Sequence, residues 1–202
     1  MDAIIINNGD ITILEANDYE AIDGDDSTGM TITNNSGATI TSEGDDAIAI
    51  EGASNVTITN AGTISAEDDW GIQADGADGL TINNSGTISA GDDYAIYLRN
   101  ADNVSITNSG TITSAEDPIN MQSNTGTVTI TNSGTISQTG GGSNDGLTLQ
   151  DNATITNTGT ISASRYAIGG SASGVTFVNK GTITGGTYDF YVPSMTITTL
   201  TN

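Results

Sequence analysis

Ser105-Ile106-Thr107-Asn108-Ser109-Gly110-Thr111-Ile112-Thr113 reads as two short strands joined by a turn. Its apolar beats, Ile106 and Ile112, are each flanked by hydroxyl residues at alternate positions. Alternation with period two, written in Thr and Ile, is the pattern of a strand with one buried face. Asn108-Ser109-Gly110 is turn chemistry, and neither beat is long enough for a helix. A third beat lies just upstream in Asp92-Asp93-Tyr94-Ala95-Ile96, so one unit of the chain holds three short strands.

That unit recurs along the chain. Asn-x-Gly appears at Asn7/Gly9, Asn35/Gly37, Asn60/Gly62, Asn84/Gly86, Asn108/Gly110, Asn132/Gly134, Asn157/Gly159 and Asn179/Gly181. The glycines are 28, 25, 24, 24, 24, 25 and 22 residues apart, and a period near 24 over eight copies marks an array. First beats run from Ile5 through Ile58 to Phe177, second beats from Ile11 through Ile64 to Ile183, and third beats from Ile22 through Ile72 to Phe190. A lone three-strand coil cannot bury its Ile face. Coils stacked at the inter-strand spacing of about 4.8 Å build one continuous core. The expected fold is all-β: a right-handed parallel β-helix (β-solenoid) of about eight coils of about 24 residues, three short strands per coil. Its handedness is the usual one for this rung shape. It spans residues 1–202 as a single domain without caps of its own.

With Ile58 inward, Asn60 two residues on also points inward, at a corner. Asn60, Asn84, Asn108, Asn132, Asn157 and Asn179 then form a structural ladder, bonded side chain to side chain and to turn amides. The glycine that follows suits a corner needing positive φ or a bulge.

The consensus in Thr107-Asn108-Ser109-Gly110-Thr111-Ile112 and Asp92-Asp93-Tyr94-Ala95-Ile96 resembles the repeats of bacterial autotransporter passengers and related surface adhesins. The likeness runs from about Ile4 to Leu200. It implies a β-helical scaffold outside the cell or on the surface of a Gram-negative bacterium and says little of activity; that no enzyme is expected follows from the residues themselves. Ala3-Ile4-Ile5-Ile6 is too short for a signal peptide or a spanning helix.

Composition narrows the chemistry. With 25 acidic residues against 3 basic ones, the net charge of −22 repels phosphate backbones and anionic headgroups, which excludes nucleic acid and membrane insertion as partners. Without His or Cys there is no zinc finger, iron–sulfur cluster, Cys nucleophile or Ser-His-Asp triad. Acidic, aromatic-poor chains are often disordered, but disorder does not require a strict repeat.

Asp45-Asp46, Asp68-Asp69, Asp92-Asp93 and Glu116-Asp117 precede the third strand in successive coils, with Asp18 and Asp145 as poorer matches. Stacking brings these carboxylates into a column about 4.8 Å apart, where a hard cation such as Ca²⁺ relieves their repulsion. Splayed, solvated loops are the competing expectation. No other cofactor is implied. A catalytic carboxylate pair breaks a pattern once, whereas these repeat, and Arg99, Arg165 and Lys180 are too scattered to serve a polysaccharide lyase.

Thr31/Thr33, Thr57/Thr59, Thr129/Thr131 and Thr154/Thr156 form outward Thr-x-Thr ranks like the ice-binding face of some antifreeze solenoids. A second hydroxyl face and interruptions by Asn83 and Val178 favour an ordinary exposed strand instead. Trp70, Tyr94, Tyr166 and Tyr188 stand before the third strand, with Tyr97 and Tyr191 outward within it, where aromatics stack on sugar rings. Bare coil ends make Ile4, Ile5, Ile6, Ile197 and Leu200 end-to-end contacts with another copy or with the rest of a longer surface protein. The expected role is a structural and adhesive segment, with an ice or glycan binding module, or a filament subunit, as the alternatives.

Overall fold

The computed structural model describes residues 3–14, 19–191 and 196–201, with the side chains at 197, 198 and 200 outside that description. Three parallel sheets run the length of the molecule: a first of nine strands, a second of eight and a third of eight. There is no helix among the described residues. Each coil visits the three sheets in turn, as in Thr81–Asn84, Thr87–Ala90 and Ile96–Arg99. The architecture is an all-β parallel solenoid of about eight coils of about 24 residues.

Register is kept residue for residue. Ile32 faces Ile58, then come Ile82, Ile106, Ile130, Ile155 and Phe177 in successive coils. Inward positions of Thr57–Asn60 and Thr63–Ala66 are buried while the flanking hydroxyls are not, which is the period-two pattern of one dry face. Each fully buried Ile contributes roughly 2 kcal/mol of transfer free energy, and the stack repeats that gain without interruption.

The corner between the first and second sheets is built from asparagine. Nδ2 of Asn7 donates to Oδ1 of Asn34, and the same bond continues through Asn60, Asn84, Asn108, Asn132 and Asn157 to Asn179 at 2.8–2.9 Å. Each amide also donates to backbone carbonyls, as Asn84 does to Thr111 O at 3.0 Å. Buried amides are thereby satisfied, which a dry corner demands.

Glycine enters this corner for a different reason from the one expected. Of the Asn-x-Gly glycines, only Gly37 has positive φ, at 81°. Those from Gly62 onward are walled in from the preceding coil: a Cβ on Gly110 would collide with the carbonyl oxygen of Gly86, and one on Gly134 with that of Gly110. Close backbone approach excludes every side chain there.

Ile4 and Ile6 pair with Thr31 and Thr33, so they occupy outward positions on the flank of the first sheet, 70% and 62% exposed. Ile5 faces Ile32 and packs on the core. Ile197 and Leu200 pair through their backbones with Val175 and Phe177, and their side chains lie outside the described residues.

Candidate functional site

Charge and aromaticity gather on one side of the solenoid. From each first-sheet strand through the Asn corner to the end of the second-sheet strand, the described coils carry only Asp10 and Lys180 as charges and the buried Phe177 as an aromatic. Trp70, all six tyrosines, both arginines and the other described acids lie on the third sheet or the corners flanking it. Thr31, Thr33, Thr57, Thr154 and Thr156 are half-buried and Thr59, Thr129 and Thr131 exposed on the outward face of the first sheet, away from this side.

The acidic pairs do not share one rank. Ile48, Ile72, Ile96 and Ile119 pair in register across the third sheet. Two residues before each stand Asp46, Trp70, Tyr94 and Asp117, so aromatic rings occupy the middle levels of that column. Asp68-Asp69 and Asp92-Asp93 stand one residue earlier in the register than Asp45-Asp46 and Glu116-Asp117.

Asp45, Asp46 and Asp69 do converge, each offering an oxygen within 4.8 Å of the others. Asp46 is 1% exposed and accepts from the Trp70 amide at 3.0 Å. Burial, reinforced by the charge of Asp69, pushes its carboxyl up to about 8. Asp69, whose Oδ1 is buried without a partner, is pushed up to about 6 by burial and by Asp93. Such a group relieves its repulsion by sharing a proton or taking a cation, and these three are the carboxylates able to hold a metal among the described residues.

The remaining acids are spent differently. Asp68 and Asp92 line an open groove of about 510 Å³ with Glu67, Thr41, Ser65 and Ser89. Asp93 accepts from the Tyr94 amide at 2.9 Å. Glu116 is raised by burial and by Asp93. Asp145 is raised by burial, which outweighs its ion pair with Arg165 at 2.8 Å. Asp117 Oδ1 accepts from the Asp145 amide at 2.6 Å, and its Oδ2 accepts from Asn120 Nδ2 at 2.9 Å and Thr148 Oγ1 at 2.6 Å. Asp18 lies outside the described residues.

Aromatic rings form two stacks on the same face. Tyr97 lies against Trp70 at 4.7 Å and Tyr94 at 5.6 Å between ring centroids. It points outward from its strand, yet these neighbours leave it only 6% exposed. Arg99, paired with Asp75, sits 5.9 Å from the Tyr97 ring. Three coils on, Tyr166 stacks on Tyr191 at 4.2 Å with Tyr188 beside them, and Arg165 lies 4.6 Å over Tyr166. Between the stacks, register places Tyr97, Asn120, Thr148 and Gly169 in one outward column. Tyr97 Oη donates to Gln122 Oε1 at 3.3 Å, and Gln122 Nε2 donates to Asn120 Oδ1 at 3.1 Å. Asn120, Gln122 and Thr148 escape motif reading, because only the cross-coil alignment gathers them.

Searches of curated proteins and of solved structures return no match. A family model, described as the BigA third pectate lyase-like domain, matches residues 1–149. That model covers most of the repeat array, including the acidic cluster and the first aromatic stack, and the chain belongs to this pectate lyase-like family.

Proposed function

We propose that this segment is a non-enzymatic structural and adhesive rod, working outside the cell on a Gram-negative bacterial surface. The observation that carries the reading is the unbroken register: about eight coils share three continuous sheets and one buried amide ladder, which is construction for stiffness. Its family is β-helical, and its coil consensus resembles that of surface passengers. Arg99 and Arg165 are both engaged with carboxylates, and Lys180 stands on the opposite side, so no cation gathers where a lyase would neutralise a uronate. Stiffness positions side chains at fixed intervals, and repeated weak contacts along such a rod add as avidity.

Two measurements test this. Small-angle scattering is expected to give an elongated particle about 4 nm long for eight coils at strand spacing, and antibodies to the segment are expected to label intact cells. A compact particle, or labelling only after lysis, removes the proposal.

A further inference from the structure

We propose that Asn55, Asn103 and Asn152, at the corner between the third sheet and the first, are covalent acceptor sites for an N-linked sugar. The proposal goes beyond the adhesive reading above and rests on its placing of the rod outside the cell. Asn-x-Ser/Thr, the acceptor sequence for this modification, occurs at Asn34-Asn35-Ser36, Asn55-Val56-Thr57, Asn83-Asn84-Ser85, Asn103-Val104-Ser105 and Asn152-Ala153-Thr154. The fold sorts these stretches. Asn55, Asn103 and Asn152 are exposed turn residues with left-handed φ of 56°, 56° and 59°. In each case the middle residue is buried, and the hydroxyl residue stands on the outward face of the first sheet. The three recur at every second coil, roughly 10 Å apart by strand spacing. Asn34 is 0% exposed, and its Nδ2 donates to Asn60 Oδ1 at 2.8 Å and Thr63 O at 2.9 Å, so a sugar there would break the ladder. Asn83 lies within a strand paired on both sides, and the hydroxyl of Ser85 is already donated to Asn60 O at 3.2 Å.

The corner also leaves room for a bulky substituent. Bridges through Thr28, Ser54, Asp78 and Asp102 set Gly29, Asn55, Gly79 and Asn103 level in successive coils, and Gly174 follows Asn152 in the same way. A Cβ on Gly79 would meet Asn55 Oδ1 at 2.9 Å, and one on Gly174 would meet Asn152 Oδ1 at 3.0 Å. Each of these amides therefore rests on bare backbone, with no side chain of the next coil covering it at that level. Neither amide is hydrogen-bonded among the described residues. Asn103 differs, because its Nδ2 donates to Asp78 Oδ1 at 2.7 Å and must leave that carboxylate to react. Transfer joins Nδ2 to C1 of a sugar activated as its phosphate ester. The C1–O bond breaks, the phosphate leaves with its electron pair, and the amide proton passes to a base of the transferase. The product is a row of hydrated, neutral groups along one edge of the rod.

Peptide mass spectrometry tests this on the protein recovered from the bacterium that makes it, after cleavage at its acidic residues. Peptides holding Asn55 and Asn152 are expected to carry sugar mass on the asparagine, Asn103 a lower occupancy, and Asn34 and Asn83 none. Asn55→Gly keeps the backbone conformation seen at Gly29 and Gly79, and Thr57→Ala keeps the amide while removing the hydroxyl. Each is expected to abolish the sugar at position 55 and leave that on Asn152, with circular dichroism unchanged. Bare asparagine at all three corner sites overturns the proposal. So does equal occupancy at Asn34 or Asn83, sugar that survives Thr57→Ala, or sugar mass found on hydroxyl oxygens instead. Antibody labelling of the same cells separates the two readings. Labelled cells whose protein carries no sugar overturn this proposal and leave the surface rod intact, whereas labelling only after lysis removes both.

Discussion

The two halves of each coil keep different rules. From the first sheet through the Asn corner to the second, inward residues are six apart, as Ile58 to Ile64 and Ile106 to Ile112, and eight apart only from Ile32 to Ile40. From the second sheet to the third the spacing varies from seven, Ile112 to Ile119, to eleven, Ile136 to Leu147. On the constant half, backbone turns from Gly62 onward press on the coil before them, and the buried amides bond to the coil after them. An inserted residue there would break contacts on two levels at once. On the variable half, turns face water, where extra length costs little loop entropy and side chains are free to differ from coil to coil. Scaffold and surface chemistry are thus divided by side of the rod, not by segment of the chain.

That division can be attacked residue by residue, starting where the effect is largest. Gly110→Ala forces a Cβ onto the Gly86 carbonyl and is expected to cost at least about 3 kcal/mol in urea unfolding. Gly141→Ala, on the variable half with open space around it, is expected to cost less than about 0.5 kcal/mol. Similar costs for the two would dissolve the distinction. Asn108→Ala removes the acceptor of Asn84 and the donor of Asn132 Oδ1 inside the dry corner, for an expected loss of roughly 2 kcal/mol.

The acidic half has its own handle in pH. A carboxyl raised on folding binds its proton more tightly in the native state, so its contribution is full below the unfolded value near 3.8 and is lost as pH rises through the folded value. With Asp46 at about 8 and Asp69 at about 6, the melting temperature is expected to fall between pH 4 and pH 8. Asp46→Asn is expected to flatten that slope and melt several degrees above wild type at pH 8. Millimolar Ca²⁺ added there is expected to return part of the lost stability to wild type and none to Asp46→Asn. Melts of both proteins with Ca²⁺ and with EDTA read this directly, and an unresponsive wild type leaves only the shared proton. The smallest effect belongs to Thr111→Ala, outward on the second sheet, expected within about 0.5 kcal/mol of wild type.

Sequence reading located the strands well because Thr-Ile-Thr carries its own periodicity, and Asn108 shares the inward parity of Ile106. It misjudged what depends on the neighbouring coil. The need for Gly110 is set by a carbonyl 24 residues away, which no local φ preference reveals. Asp68-Asp69 looks like the match of Asp45-Asp46, yet the pairing of Ile48 with Ile72 sets Trp70 level with Asp46. Ile4 and Ile6 flank Ile5 with the opposite parity, which turns them outward. A one-residue offset is invisible in composition and decides both the acidic pairs and the first strand.

The asparagine ladder carries one more implication. Every amide in it points N–H toward the coil that follows and carbonyl oxygen toward the coil that precedes. The row is therefore a polar arrow, not a symmetric seam.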